Sequence, residues 1–190
     1  MKVLILCDRQ SESFEGLDLA QMIRRTVEQV VGDVTVKVLD GDKIKPCVGC
    51  FQCWTRTPGL CVATDDGVNE VSAMFAQSHA VIFLSRICYG GYSPDLKAFL
   101  DRFIPNISPY FEFVGGEMHH RARYDRMPCM IPVGYGACTP DELEIFSHLA
   151  ERNAINFKAL LPTVLTIGRA DEAIGTMRQL RDVLQREVTA

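Results

Sequence analysis

The run Ala80-Val81-Ile82-Phe83-Leu84 limits this chain more than any other segment, because it is apolar throughout with no polar interruption. A strand of that kind must be covered on both faces, which is the situation of a strand inside a parallel sheet. Parallel strands need crossovers, and the chain supplies them as amphipathic segments between further short apolar runs. Lys2 to Cys7, Val34 to Leu39, Met130 to Val133 and Thr163 to Ile167 read as the other strands. Leu17, Ala20, Ile23, Val27 and Val31 recur at helical spacing, as do Val68, Val71, Met74 and Phe75. Ser93-Pro94 opens a helix with the stripe Leu96, Phe99, Leu100 and Phe103, and proline suits its first position. Thr139 starts another helix reaching about Asn153, and Asp171 to about Glu187 is the last. The pattern predicts an α/β three-layer sandwich on a five-stranded parallel sheet in the order 2-1-3-4-5.

A length of 190 residues with 47% hydrophobic residues suits one well-buried domain over 1–190, with a long connector at about 104–128. Net charge is −4 without a basic run, which argues against nucleic acid as a partner. The opening apolar run stops at Asp8-Arg9 with no cleavage pattern, and no segment approaches membrane length. These features predict a cytoplasmic protein with no membrane partner, whose eight cysteines are reduced thiols or ligands.

In such a sheet, ligands sit beyond the carboxyl ends of the strands, at the reversal between strands 1 and 3. The loops Asp8 to Gly16, Ser85 to Ser93 and Gly134 to Thr139 would build that site. The middle loop, Ser85-Arg86-Ile87-Cys88-Tyr89-Gly90-Gly91-Tyr92-Ser93, suits a flat ring: glycines admit close backbone approach and a tyrosine can stack. A glycine turn leading into a proline-started helix accounts for the same residues. Gly134-Tyr135-Gly136 is a weaker version of the same feature.

Cys47, Cys50 and Cys53 stand at two-residue spacing, and Cys61 follows seven residues on. Thiols so close point to redox or metal chemistry. Their loop follows strand 2 and opens on the same sheet edge, which predicts that they lie near the ligand site. His119-His120 in the connector should point apart in extended chain, and Arg121, Arg123 and Arg126 form either a solvated basic face or a set that meets a nicotinamide nucleotide's phosphate.

Pro46-Cys47-Val48-Gly49-Cys50-Phe51-Gln52-Cys53-Trp54, then Cys61 with Thr64-Asp65-Asp66, then Tyr89 to Ser93 with Leu96 to Arg102, together resemble the NADPH-dependent FMN reductase and iron–sulfur flavoprotein group of the flavodoxin-like superfamily. The resemblance implies an FMN-binding flavodoxin-like sandwich, assembled as a homodimer or homotetramer. It would pass electrons from NAD(P)H or another small-molecule donor to a small acceptor such as a flavin or quinone. By the same resemblance, Ser85, Ile87, Cys88, Tyr89, Gly90, Gly91, Gly134, Tyr135 and Gly136 would surround the flavin.

The first loop departs from the group's Gly-Ser-Pro-Arg pattern. Arg9, Ser11 and Ser13 are left as the candidate phosphate ligands, and Asp8, Glu12 and Glu15 must then point away from the phosphate, or FMN binds weakly or not at all. The four cysteines admit a [4Fe–4S] cluster, as in the iron–sulfur members, a zinc ion, or no metal at all. The readings that stay open beside a reductase are an iron–sulfur electron carrier and a binding or thiol-sensing module without FMN.

Overall fold

The computed structural model describes residues 1–187. In chain order it contains β1 (Lys2–Asp8), a 3-10 turn (Arg9–Ser13), α1 (Leu19–Glu28), β2 (Asp33–Leu39), a short α2 (Gln52–Thr55), α3 (Val68–Gln77) and β3 (Ala80–Arg86). Then come α4 (Pro94–Asp101), β4 (Ile107–Val114), β5 (Glu117–Ala122), β6 (Cys129–Tyr135), α5 (Pro140–Phe157), β7 (Leu165–Ile167) and α6 (Ala173–Glu187). The main sheet has the order β2-β1-β3-β6-β7 and is parallel throughout. With β4 and β5 set aside, that is the 2-1-3-4-5 order read from the sequence.

Alternation along the strands sends side chains to two cores. Val3, Ile5, Ile82, Ile131 and Val133 meet α1 and α6 on one face. Leu4, Leu6, Val81, Phe83 and Met130 meet α3, α4 and α5 on the other. The first six residues of β3 are buried, as an uninterrupted apolar run in a covered strand requires. Helix starts follow local chemistry. Asp18 caps α1 by accepting from the Gln21 amide, Ser93 caps α4 ahead of Pro94, and Thr139 with Glu142 forms a reciprocal capping box at α5.

The structure corrects the sequence reading in two places. The connector at 104–128 is not an irregular loop: β4 and β5 form an antiparallel hairpin with Val114 paired to Glu117. Gly115 and Gly116 make the turn at φ 59° and 87°, a left-handed pair that side chains resist and glycine adopts freely. Strand β7 is also shorter than predicted, three residues from Leu165. The two hairpin histidines do point apart. His119 is buried between Asn156 of α5 and Glu117, whereas His120 packs on Trp54 and Phe111.

Among the described residues, no helix is long and apolar enough to cross a membrane. Cys7, Cys47, Cys50, Cys53, Cys61, Cys88 and Cys138 are free thiols.

Candidate functional site

The carboxyl edge of the sheet is built around Asp8. Its side chain is 0% exposed and turned into the crevice between β1 and β3. Oδ1 accepts from the Ser11 amide at 3.0 Å and from the Tyr135 hydroxyl at 2.5 Å. Oδ2 accepts from the Arg86 amide at 2.7 Å. The Tyr135 phenol is held protonated, pushed far above its ordinary value by burial first and by the hydrogen bond to Asp8 next. Phe14 closes the top by meeting Tyr135 edge-on at 5.2 Å, and Glu15 pins the loop by accepting from the Ala170 amide at 2.8 Å.

The candidate phosphate ligands are engaged within the protein. Arg9 grips Asp95 through two nitrogens at 3.1 and 3.0 Å and also pairs with Asp40 and Asp42. Buried Ser11 donates its hydroxyl to the Asp8 carbonyl at 2.7 Å, while Ser13 stays exposed. Of the two alternatives for the acids, Asp8 takes the second: it points in, because donors from the turn after β1 and from the ends of β3 and β6 converge there. This crevice, as it stands, does not fit a flavin phosphate held by Arg9 and Ser11. The donor set suits an anion, and the anion in it belongs to the chain.

The second loop divides its tyrosines. Tyr92 is buried against Phe146, whereas Tyr89 is 95% exposed at the tip with φ 52°. Cys88 and Gly91 bond each other's backbones at 2.9 and 2.8 Å, and Ser85 Oγ, fully buried, accepts from the Ser93 amide at 2.8 Å. The Ile87 amide goes to the Tyr135 carbonyl and the Gly136 amide to Ile167, both at 2.9 Å. At Gly134 an added Cβ would stand 2.7 Å from Ile87 and 2.8 Å from Phe146, so packing alone demands glycine there. Tyr89, Gly90 and Gly91 instead wall a cavity of about 580 Å³ whose other side is α5, through Ile145, His148 and Arg152. A flat ring fits this apolar cavity better than the filled crevice.

The four cysteines do converge. Cys47, Cys50, Cys53 and Cys61 line one cavity of about 140 Å³ with Phe51 and Arg102. Phe51, in left-handed backbone at φ 53°, turns the chain into α2 and carries Cys53 inward. Burial raises the Cys53 thiol above its ordinary value, and the neighbouring thiols add to the shift. Among the described residues no three His, Cys, Asp or Glu side chains meet at a single ion's position. Four thiols spaced around an apolar cavity fit a cluster, in which several irons share the ligands, better than one zinc.

This cavity lies toward the other end of α4 from the crevice. Its wall residues Arg102 and Ile104 follow the end of α4, whereas Ser93 at the start of that helix touches Ser85. Eight residues of helix put about 12 Å between those ends. The reason is Arg102, which the sequence reading did not single out as a site residue. Its Nη1 donates to the Lys45 carbonyl at 2.6 Å and to Asp66 at 2.7 Å, and its Nη2 to the Ala63 carbonyl at 3.2 Å. The two flanks of the cysteine loop are thereby drawn to the far end of α4. Asn69 adds a second clasp by bonding both the amide and the carbonyl of Cys61, at 2.9 and 2.8 Å. One signal was available: Arg102 falls three residues after Phe99, on the buried stripe. Arg123 is likewise internal, donating to the Pro105 carbonyl at 2.7 Å and the Ile107 carbonyl at 3.1 Å.

A doubly wound sheet thus carries a ring-sized cavity walled by the Tyr89 loop and α5, and four thiols line a second cavity near the end of α4. Residues 1–125 match the NADPH-dependent FMN reductase family, and the chain belongs to it. It is 34% identical over 67 residues to an iron-sulfur flavoprotein of Archaeoglobus fulgidus, a match covering 35% of this chain and 29% of that protein. The match thus spans under a third of the length of that curated relative. In structure it is similar to a protein from P. pentosaceus described as an NADPH-quinone reductase, with TM-score 0.57, 11% identity and coverage of 100% and 99% of the two chains. It is also similar to general stress protein 14 of Treponema denticola in complex with FMN, with TM-score 0.56, 14% identity and 97% of each chain covered. At these identities the structural likeness shows the fold.

Proposed function

We propose that this chain is an FMN-dependent oxidoreductase. It would pass a hydride's two electrons from NAD(P)H, or from another donor, to a small acceptor such as a flavin or quinone. The observation that carries the reading is the family match over residues 1–125, which includes both the Tyr89 loop and the cysteine loop. Bound FMN would supply the electron-accepting ring. The chain's own contribution would be to seat that ring: Tyr89 by stacking, Gly91 by close backbone approach, Gly90 by letting the loop pack on Ile145, and α5 by excluding water behind the ring. The remaining loop residues Ser85, Ile87, Cys88, Gly134, Tyr135 and Gly136 would act by shaping this loop, since the bonds and close packing described above already engage them. The exposed hairpin aromatics Tyr110 and Phe113 support assembly as a homodimer or homotetramer, and the exposed free thiols Cys47 and Cys50 support a cytoplasmic setting.

The test is direct. Purified protein titrated with FMN should show saturable quenching of flavin fluorescence and should then oxidise NADPH or NADH when a quinone is present. Protein that is folded, binds no FMN at millimolar concentration and consumes neither nucleotide would remove the reading.

A second reading has its own observation, the four thiols on one cavity. As an iron–sulfur electron carrier, the chain would hold a [4Fe–4S] cluster at Cys47, Cys50, Cys53 and Cys61. Anaerobic reconstitution with iron and sulfide should then load the wild type, whereas Cys50→Ala should lose the iron and stay folded. Equal iron in both proteins would reject that ligand set.

A further inference from the structure

We infer that Asp8 is a built-in occupant of the strand-reversal crevice and the residue that sets this chain's affinity for a phosphorylated flavin. The inference rests on the FMN reading above and deepens it. Its basis is the convergence of the Ser11 amide, the Arg86 amide and the Tyr135 hydroxyl on one fully buried carboxylate. These donors come from the ends of β1, β3 and β6, which are adjacent strands of the sheet. Their meeting point is where a doubly wound sheet receives ligands.

None of the three is a cation. Arg9 turns to Asp95, Asp40 and Asp42, and the Arg86 guanidinium turns to Gln10 at 2.9 Å. A carboxylate held by neutral N–H and O–H groups is the arrangement by which proteins bind oxyanions in general. Here the oxyanion is covalently part of the loop. An incoming phosphate meets a like charge already bonded to the donors it needs, without a free cation to offset the repulsion. The loop also rests on this occupant, since Ser11 donates both its amide and its hydroxyl to Asp8, and Phe14 lies on Tyr135. A shorter, uncharged residue at this position would leave all three donors in place and free them.

The experiment compares FMN and riboflavin, which differ only by the phosphate, on wild type, Asp8→Ser and Asp8→Asn. Affinity is read from quenching of flavin fluorescence, and folding from circular dichroism. Asp8→Ser should bind FMN at least tenfold more tightly than wild type, while its riboflavin affinity changes less than twofold. Asp8→Asn keeps the volume and removes the charge, so it should shift FMN affinity in the same direction by less. It also serves as the test if the serine variant does not fold.

If wild type binds FMN as tightly as both variants, the occupant role falls and the FMN reading stands. If FMN and riboflavin affinities rise together, the effect is steric and the phosphate argument is overturned. If no folded protein takes up FMN, both the inference and the function on which it rests are rejected.

Discussion

Arg102 and Asp66 form an ion pair at 2.7 Å in which each side chain is only 1% exposed. The pair joins the residue after α4 to the residue before the turn into α3, and with the Lys45 and Ala63 carbonyls it closes the base of the cysteine loop. Breaking such a pair from one side leaves an uncompensated buried charge, at a cost of about 3–5 kcal/mol. Asp66→Asn should therefore lower the unfolding free energy by roughly that amount, measured by urea denaturation. A loss no larger than that of an exposed Asp→Asn control, such as Asp171→Asn, would show that the pair does not hold the loop.

The same pair makes the fold sensitive to acid. Burial pushes the Asp66 carboxyl up, but Arg102 and the Val68 and Lys45 amides together bring it below its ordinary value. Asp95 follows the same balance, with burial opposed by Arg9 and the Gly41 amide, and it also ends low. A carboxyl depressed in the folded chain is protonated first in the unfolded one, so its contribution is complete above the ordinary value and disappears as pH falls through the folded value. The urea midpoint should be flat from about pH 5 to 7 and drop below about pH 4, with a shallower drop in Asp66→Asn. An unchanged slope in the variant would assign the acid sensitivity elsewhere.

Tyr135→Phe removes one of the three donors to Asp8 and keeps the ring against Phe14. Losing one partner of a buried carboxylate costs about 1–3 kcal/mol, again readable in urea. The tyrosine also carries an alkaline signature. Its ionisation is pushed upward in the folded chain by burial and by Asp8, so its contribution is intact below the unfolded value near 10 and fades as pH rises beyond it. Wild type should lose stability between about pH 9.5 and 11 more steeply than Tyr135→Phe. Parallel curves would contradict the assignment.

The thiols should label in an order set by exposure and ionisation. Cys47 and Cys50 are exposed, whereas Cys7 is buried and its thiol is pushed up to about 12, chiefly by desolvation. Brief iodoacetamide treatment of the native protein at pH 8, followed by peptide mass analysis, should find Cys47 and Cys50 modified and Cys7 untouched. Early modification of Cys7 would mean that the β1 end opens readily.

Tyr89 lies almost entirely in solvent, so Tyr89→Ala should leave the urea midpoint unchanged. If the ring seats on this loop, the same variant should weaken flavin binding several-fold, for riboflavin as much as for FMN, because stacking does not involve the phosphate. Unaltered affinity for both would move the ring site away from Tyr89.

The strand and helix order was legible because each element carries its own period, and the β3 run admits only a covered strand. The meeting of the four cysteines was legible for a similar reason: short spacings confine the thiols whatever surrounds them. The hairpin was missed because its strands pair with each other outside the main sheet and carry exposed Tyr110, Phe111 and Phe113, so no clean apolar alternation marks them. Only Gly115-Gly116 announced the turn. The role of Asp8 was out of reach for a physical reason: its donors lie at positions 11, 86 and 135, and only the register of three parallel strands brings them together. The distance between cavity and crevice was hidden in the same way, since it depends on where Arg102 pulls a loop that begins more than fifty residues earlier.

One outer strand of the main sheet, β7, is only three residues long. A rim that brief presents few unpaired amides and carbonyls, so another chain has almost no template to extend there. Edge-to-edge stacking finds little hold on that flank, and Pro162 in the approach to β7 removes one more amide donor.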